Sequence, residues 1–184
     1  MRKVIYLVVF IFFSFTALSQ KGNQRANSVT FNPNSGYVNT TEIQPSLGIS
    51  VNNVPYGKYF LGLTNISGYQ ISLKNSMVTK KIQGGIGTGV FFYNEGTLMP
   101  LFLDFRFIWS ENTWTPFVFA TGGGLIHFND FNRESRLFIN PGAGIRYSVS
   151  ENVGLSMGAG LLIQSASYRR DSFVNLKIGL CFKP

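Results

Sequence analysis

The 184-residue sequence holds one cysteine, Cys181, and one histidine, His127. A lone cysteine excludes a disulfide scaffold, and one histidine beside one cysteine excludes a transition-metal cluster. Charge is scarce too. Only 13% of residues are Asp, Glu, Lys or Arg, and bases (16) outnumber acids (8), where soluble domains carry ~25% charged residues. A hydrophobic content of 45% excludes intrinsic disorder. Beyond the first twenty residues no apolar run approaches the ~20 residues of a spanning helix, so a transmembrane helix is excluded there. Glycine (20) and aromatic residues (15%) are plentiful, a mixture that suits strands better than a helical bundle. The length is that of one domain, two at most.

Residues 1–19 read as a secretory signal peptide. Arg2 and Lys3 supply the positive start, Val4–Phe15 the uncharged apolar run, and Ala17-Leu18-Ser19 the small residues of a cleavage site, so Gln20 is expected to begin the mature chain. No cysteine follows, which argues against a lipoprotein. Residues 20–40 are rich in Asn, Ser and Gly without an apolar period, and read as a flexible periplasmic lead-in.

From Thr41 to the end, 41–184, the pattern has period two. Val174, Leu176, Ile178, Leu180 and Phe182 alternate with Asn175, Lys177, Gly179 and Cys181; Leu101, Leu103, Phe105 and Phe107 alternate with Phe102, Asp104, Arg106 and Ile108. Turn signals divide this region into eight strands, near 41–51, 58–73, 77–93, 98–109, 113–127, 135–149, 152–165 and 172–183. Most reach the 9–11 residues that a tilted strand needs to cross a bilayer. Connections after strands two, four and six look very short (Lys74-Asn75-Ser76, Ser110-Glu111-Asn112, Ser150-Glu151-Asn152). Those after strands one, three, five and seven look mostly longer: Val51–Gly57, Asn94–Thr97, Phe128–Glu134 and Ala166–Asp171. Short periplasmic turns and long outer loops are the asymmetry of outer-membrane barrels, and an even strand number puts both termini in the periplasm.

A soluble sandwich also alternates, but its polar face has no need of glycine, which weakens strands. Here the polar face carries Gly85, Gly87, Gly89, Gly142, Gly144, Gly154, Gly158, Gly160 and Gly179. The interior of an eight-stranded barrel has room only for a filling of side chains, so small residues there make space for large ones. The opposite face is bulky and almost uncharged, as lipid contact requires. The expected fold is all-β: an eight-stranded antiparallel up-and-down transmembrane β-barrel. On these features the sequence resembles the small outer-membrane β-barrel proteins of Gram-negative bacteria, OmpA- or OmpX-like in architecture. The resemblance covers nearly all of 41–184. Family members typically close with a polar residue, then Gly, then spaced hydrophobics ending in an aromatic. The barrel-assembly machinery recognises this signal; Lys177, Gly179 and Phe182 match it, while Pro184 replaces the final aromatic. Leu98-Met99-Pro100-Leu101-Phe102-Leu103-Asp104 also looks like strand four of the family.

Parity places Glu42, Lys81, Asp104, Arg106, Arg146 and Lys177 inside the barrel, two acids and four bases. Buried charges need partners, so a paired structural network is expected; its functional alternative is a narrow, gated path preferring anions. An open pore does not suit eight strands. His127 is the one obvious general base. Some barrels of this type are lipid A deacylases, whose motif places Ser two residues after the His, followed by Asn and Ala. Here Asn129 and Asp130 follow, so no nucleophile is placed. The run Gly84-Gly85-Ile86-Gly87-Thr88-Gly89 continues strand alternation and lacks the Gly-Lys-Ser/Thr and helix of a phosphate loop. Export argues against nucleic acid as a partner despite the basic balance. The outer loops count Lys58, Arg133, Arg136, Arg169 and Arg170 against Glu95, Asp130, Glu134 and Asp171. Arg169-Arg170 is the one local cluster suited to lipopolysaccharide phosphates. The expectation is a non-enzymatic outer-membrane protein without a cofactor, structural or engaged in surface interaction. A gated transport path is the alternative, and a lipid-modifying enzyme the weaker one.

Overall fold

The computed structural model describes residues 35–51, 58–75, 78–94, 96–109, 114–127, 135–150, 152–166 and 169–183. The signal peptide and most of the lead-in lie outside them. Eight strands follow in chain order: β1 (Gly36–Ser50), β2 (Tyr59–Asn75), β3 (Val78–Tyr93), β4 (Gly96–Ile108), β5 (Trp114–His127), β6 (Arg136–Ser148), β7 (Val153–Ala166) and β8 (Arg169–Phe182). Each pairs antiparallel with the next, and β8 returns to β1, closing a barrel. No strand edge is left open, which is what lets a sheet cross hydrocarbon with every backbone group paired. The all-β, eight-stranded reading holds.

The register sets the barrel's shape. Hydrogen-bonded partners lead from Gly36 to Gln70, Gln83, Arg106, Phe119, Gly142, Gly160, Asn175 and finally Ser46. One circuit therefore returns to β1 ten residues from its start, between Gly36 and Ser46. That stagger over eight strands tilts them about 40° from the axis.

Two boundaries differ from expectation. β1 starts at Gly36, inside the stretch read as lead-in. Its first outward residues, Tyr37, Asn39 and Thr41, are polar, so the apolar alternation that marks a strand is missing, although Val38 and Thr40 are fully buried inside. The contrast between loop lengths is also weaker than expected. β3 and β4 are joined by two residues, as are β7 and β8, while five separate β4 from β5. Pairs such as Tyr93 with Gly96 and Ala166 with Arg169 carry the ladder into segments that polarity alone marks as loop.

The outer surface is apolar. Leu101, Leu103, Phe105, Ile139, Met157 and Ile178 are each about half exposed or more, an arrangement no water-soluble barrel would keep. Exposed aromatics mark its limits. Trp109, Trp114, Tyr147 and Phe182 ring the end where the chain enters and leaves, with the Trp114 and Tyr147 rings tilted against each other at 4.8 Å. On β2 the outward Tyr59 and Tyr69 lie ten residues apart, about 25 Å along the axis at this tilt, which is the height of an outer-membrane barrel's apolar band.

Candidate functional site

Everything charged that the strands bury points inward, so the lumen is the place to look for chemistry. At its middle lies a closed ring of side chains. Arg106 on β4 reaches Glu42 on β1 (Nη2 to Oε1, 2.7 Å) and folds back on Asp104 (Nε to Oδ1, 2.6 Å). The Thr121 hydroxyl on β5 donates to the other Asp104 oxygen at 2.8 Å. Lys177 on β8 donates to Thr121 Oγ1 at 3.2 Å and faces Glu42 Oε2 at 3.6 Å, which completes the circuit. β1 and β8 lie across the barrel from β4 and β5, so the ring spans the lumen. It holds two acids and two bases, and it is buried throughout, with Asp104 wholly inaccessible. Gln44 buttresses it, donating to Glu42 Oε2 at 3.2 Å and Thr64 Oγ1 at 2.8 Å. Paired charges with further hydrogen bonds are the form in which buried ions are tolerated. Lys177 also sits 4.3 Å from the Phe119 ring centroid, within cation–π range.

Of the six lumen charges expected from parity, four make this ring. Arg146 lies below it, toward the terminal end, donating Nη2–H to Gln83 Oε1 at 3.1 Å and approaching the Phe117 ring at 6.0 Å. Lys81 lies at the terminal mouth, in register with Ile108 and only partly buried, where β2 and β3 run on together beyond the end of β4.

Toward the loop end the lumen is apolar. Phe60, Phe91, Tyr93, Leu98, Phe102, Leu125, Phe138, Leu162 and Phe173 form one buried cluster. Phe60 is its hub, 4.8 Å from Phe91, 4.8 Å from Tyr93 and 5.3 Å from Phe173 between ring centroids. The inward parity of Phe102 and Phe138 is the trace of this plug in the sequence. Above it, Arg136 pairs with Asp171 at 3.1 Å, and Gln164 bridges Tyr93 and Asp171. Contrary to the expectation that Arg136 and Asp171 are outer-loop charges, both are strand residues with inward parity and are buried.

The inward glycines answer to these rings. A Cβ on Gly87 would collide with Phe102, one on Gly142 with both the Ala159 carbonyl and Phe119, and one on Gly144 with the Met157 carbonyl and, at 2.7 Å, with Phe117, so the last two glycines also let the β6 and β7 backbones lie close. Glycine here clears space for aromatic side chains more than for the long cations. Gly179 is placed differently: its added Cβ would meet Ser156 Oγ at 2.8 Å and Glu42 Cγ at 2.9 Å, beside the charged ring.

The remaining candidates are dispersed. His127 ends β5 with inward parity, half-buried at the loop end, while Asn129 and Asp130 lie outside the described residues. Arg170 is exposed at the start of β8; the Arg169 side chain is outside the described set. Of the residues expected to form an assembly signal, Lys177 and Gly179 face the lumen and Phe182 faces out. Cys181 is buried inside and free. Among the described residues, no three of His, Cys, Asp and Glu gather as metal ligands.

The N-terminal β-barrel domain of Pseudomonas aeruginosa OprF is similar at 18% identity and TM-score 0.41, over 79% of this chain and 97% of that one. The outer-membrane enzyme PagL gives 14% and 0.47 over 79% and 99%, and a de novo designed transmembrane β-barrel 15% and 0.41 over 80% and 95%. No protein-family model matches the chain, and no curated protein matches its sequence. Closure of the sheet, the half-exposed apolar band and the filled, charged lumen are seen in the chain itself. This is an eight-stranded transmembrane barrel of the outer-membrane type.

Proposed function

We propose that the protein is a non-enzymatic integral component of the outer membrane, with both termini in the periplasm, serving envelope structure or surface interaction rather than transport. The single observation that carries this reading is the double filling of the lumen. A charge-neutral ring bridges its middle, and a packed aromatic plug occupies the half nearest the loops. A solute path would need both to part, at the cost of unpairing buried ions and opening an apolar core. His127 supports no hydrolytic alternative in the sequence, because Asn129 stands where a lipid A deacylase has its serine. In this reading Arg170, exposed at the loop end of β8, meets lipopolysaccharide phosphates, and Lys177, Gly179 and Phe182 serve the barrel-assembly machinery before the barrel closes.

Planar-bilayer recording of the purified, folded protein tests the proposal. No unitary conductance is expected in molar salt. Reproducible, anion-selective steps would favour the gated path instead. Loss of acyl chains from lipid A in cells expressing the gene, read by mass spectrometry, would overturn the non-enzymatic reading.

A further inference from the structure

One part of the outer surface does not suit lipid. On β1 and β2, alternation with the buried Val38, Thr40, Thr64 and Ile66 turns Tyr37, Asn39, Thr41, Asn65 and Ser67 outward. On β2, Asn65 and Ser67 fall between the outward Tyr59 and Tyr69 that bound the apolar band, so Asn65 lies near mid-bilayer. Its partner across β3 is outward Thr88, which extends the polar seam by one strand. Elsewhere this height is occupied by residues such as Leu103, Leu176 and Ile178.

The seam is organised around two amides. Asn39 donates to Asn65 Oδ1 at 3.1 Å and Asn65 donates to Asn39 Oδ1 at 2.9 Å, a reciprocal pair. The second N–H of Asn39 reaches Ser67 Oγ at 3.2 Å, and that of Asn65 reaches Thr41 Oγ1 at 2.9 Å. Tyr37 donates its hydroxyl hydrogen to Ser67 Oγ at 3.2 Å. All four amide hydrogens are thereby used, which is why the asparagines are tolerated. Left over are the hydroxyl hydrogens of exposed Thr41 and of Ser67, and a second lone pair on each amide oxygen. Acyl chains can satisfy neither.

We infer that the Asn39–Thr41–Asn65 seam is a contact surface for a second copy of this chain within the membrane. Spare donors and spare acceptors stand side by side, so a copy related by a two-fold rotation offers each what it lacks, as an isologous interface requires. The small side chains of Thr41, Ser67 and Thr88 lower the surface between bulky neighbours and let two sheets approach. Polar groups on small-residue surfaces are the usual adhesive between membrane-embedded elements, because burial of apolar area drives nothing there. This inference does not depend on whether the lumen conducts.

Cysteine cross-linking in native membranes tests it. Cys181 is buried in the lumen and does not compete. Thr88→Cys, which sits on the seam beside Asn65 and leaves the Asn39–Thr41–Asn65 groups intact, is expected to give a disulfide-linked homodimer on mild oxidation, and Ile139→Cys on the remote β6 face is not. Asn39→Leu with Asn65→Leu in the Thr88→Cys background should abolish the dimer, while heat-modifiable migration confirms that the barrel still folds. Equal cross-linking at Ile139→Cys, persistence without the asparagines, or an adduct with a different protein would overturn the inference. So would a monomeric mass for the unaltered protein by sedimentation equilibrium in lipid nanodiscs.

Discussion

Arg106 and Glu42 meet across the barrel at 2.7 Å, one from β4 and the other from β1, both almost completely buried. No backbone ladder joins these strands, so the pair ties opposite walls together, with Asp104 and Lys177 sharing the two charges. The ring works as a cross-brace, and its neutrality is its main physical constraint.

Asp104→Ala breaks that neutrality. Arg106 and Lys177 are left to share Glu42, with Arg146 below, and leaving a buried cation short of its partner typically costs ~3–5 kcal/mol. Adding Arg106→Ala leaves Glu42 with Lys177, again a neutral pair, so part of the loss should return. Urea unfolding in lipid vesicles measures both. Recovery in the double variant is the signature of coupling, and strictly additive losses would deny it.

Gly87→Ala places a methyl group in the Phe102 ring. Overpacking of this kind costs about 1–3 kcal/mol. Gly87→Ala with Phe102→Leu should be more stable than Gly87→Ala alone, because the smaller side chain yields the space. A double variant weaker than both singles would show that Gly87 serves the backbone and not the ring.

Phe60→Ala removes the hub of the aromatic plug and should lower stability by ~3–5 kcal/mol. Conductance should nevertheless stay absent, because the charged ring below still bridges the lumen. Channel activity from this single change would mean that the plug alone closes the barrel.

Ile178→Lys puts a charge among half-exposed Ile43, Met157 and Leu180 on the outer face. Near mid-bilayer the cost is ~2–4 kcal/mol, read as a lower unfolding midpoint in vesicles. An unchanged midpoint would contradict lipid exposure at this position.

Much of the barrel was legible in the sequence because period-two alternation reports directly on a two-sided sheet, and Ile178 and Lys177 fall on the faces their chemistry suggests. The same parity put Glu42, Asp104, Arg106 and Lys177 inside. It could not say which of them meet, since that depends on the ten-residue stagger, which brings β1 and β4 residues to one height. Lys81 shares their parity but not their level. Asp171 reads as a loop residue because it flanks a polar segment, and only the continuing ladder shows it as strand, while Arg136, at the start of the expected sixth strand, points inward to pair with Asp171. The start of β1 was hidden for a different reason: Asn39 and Thr41 face outward and are polar, so the lipid-facing signal fails where the surface itself departs from the rule.

The most direct test of the inside–outside assignment is nuclear Overhauser transfer from acyl-chain protons to leucine methyl groups of the folded protein in lipid nanodiscs. Leu98, Leu125 and Leu162 are fully buried in the lumen, whereas Leu101, Leu103, Leu176 and Leu180 are about half exposed outside. The structure predicts strong transfer to the second group and none to the first, although all seven are leucines on strands. Transfer to Leu98, Leu125 or Leu162, with silence at Leu103 and Leu180, would contradict it.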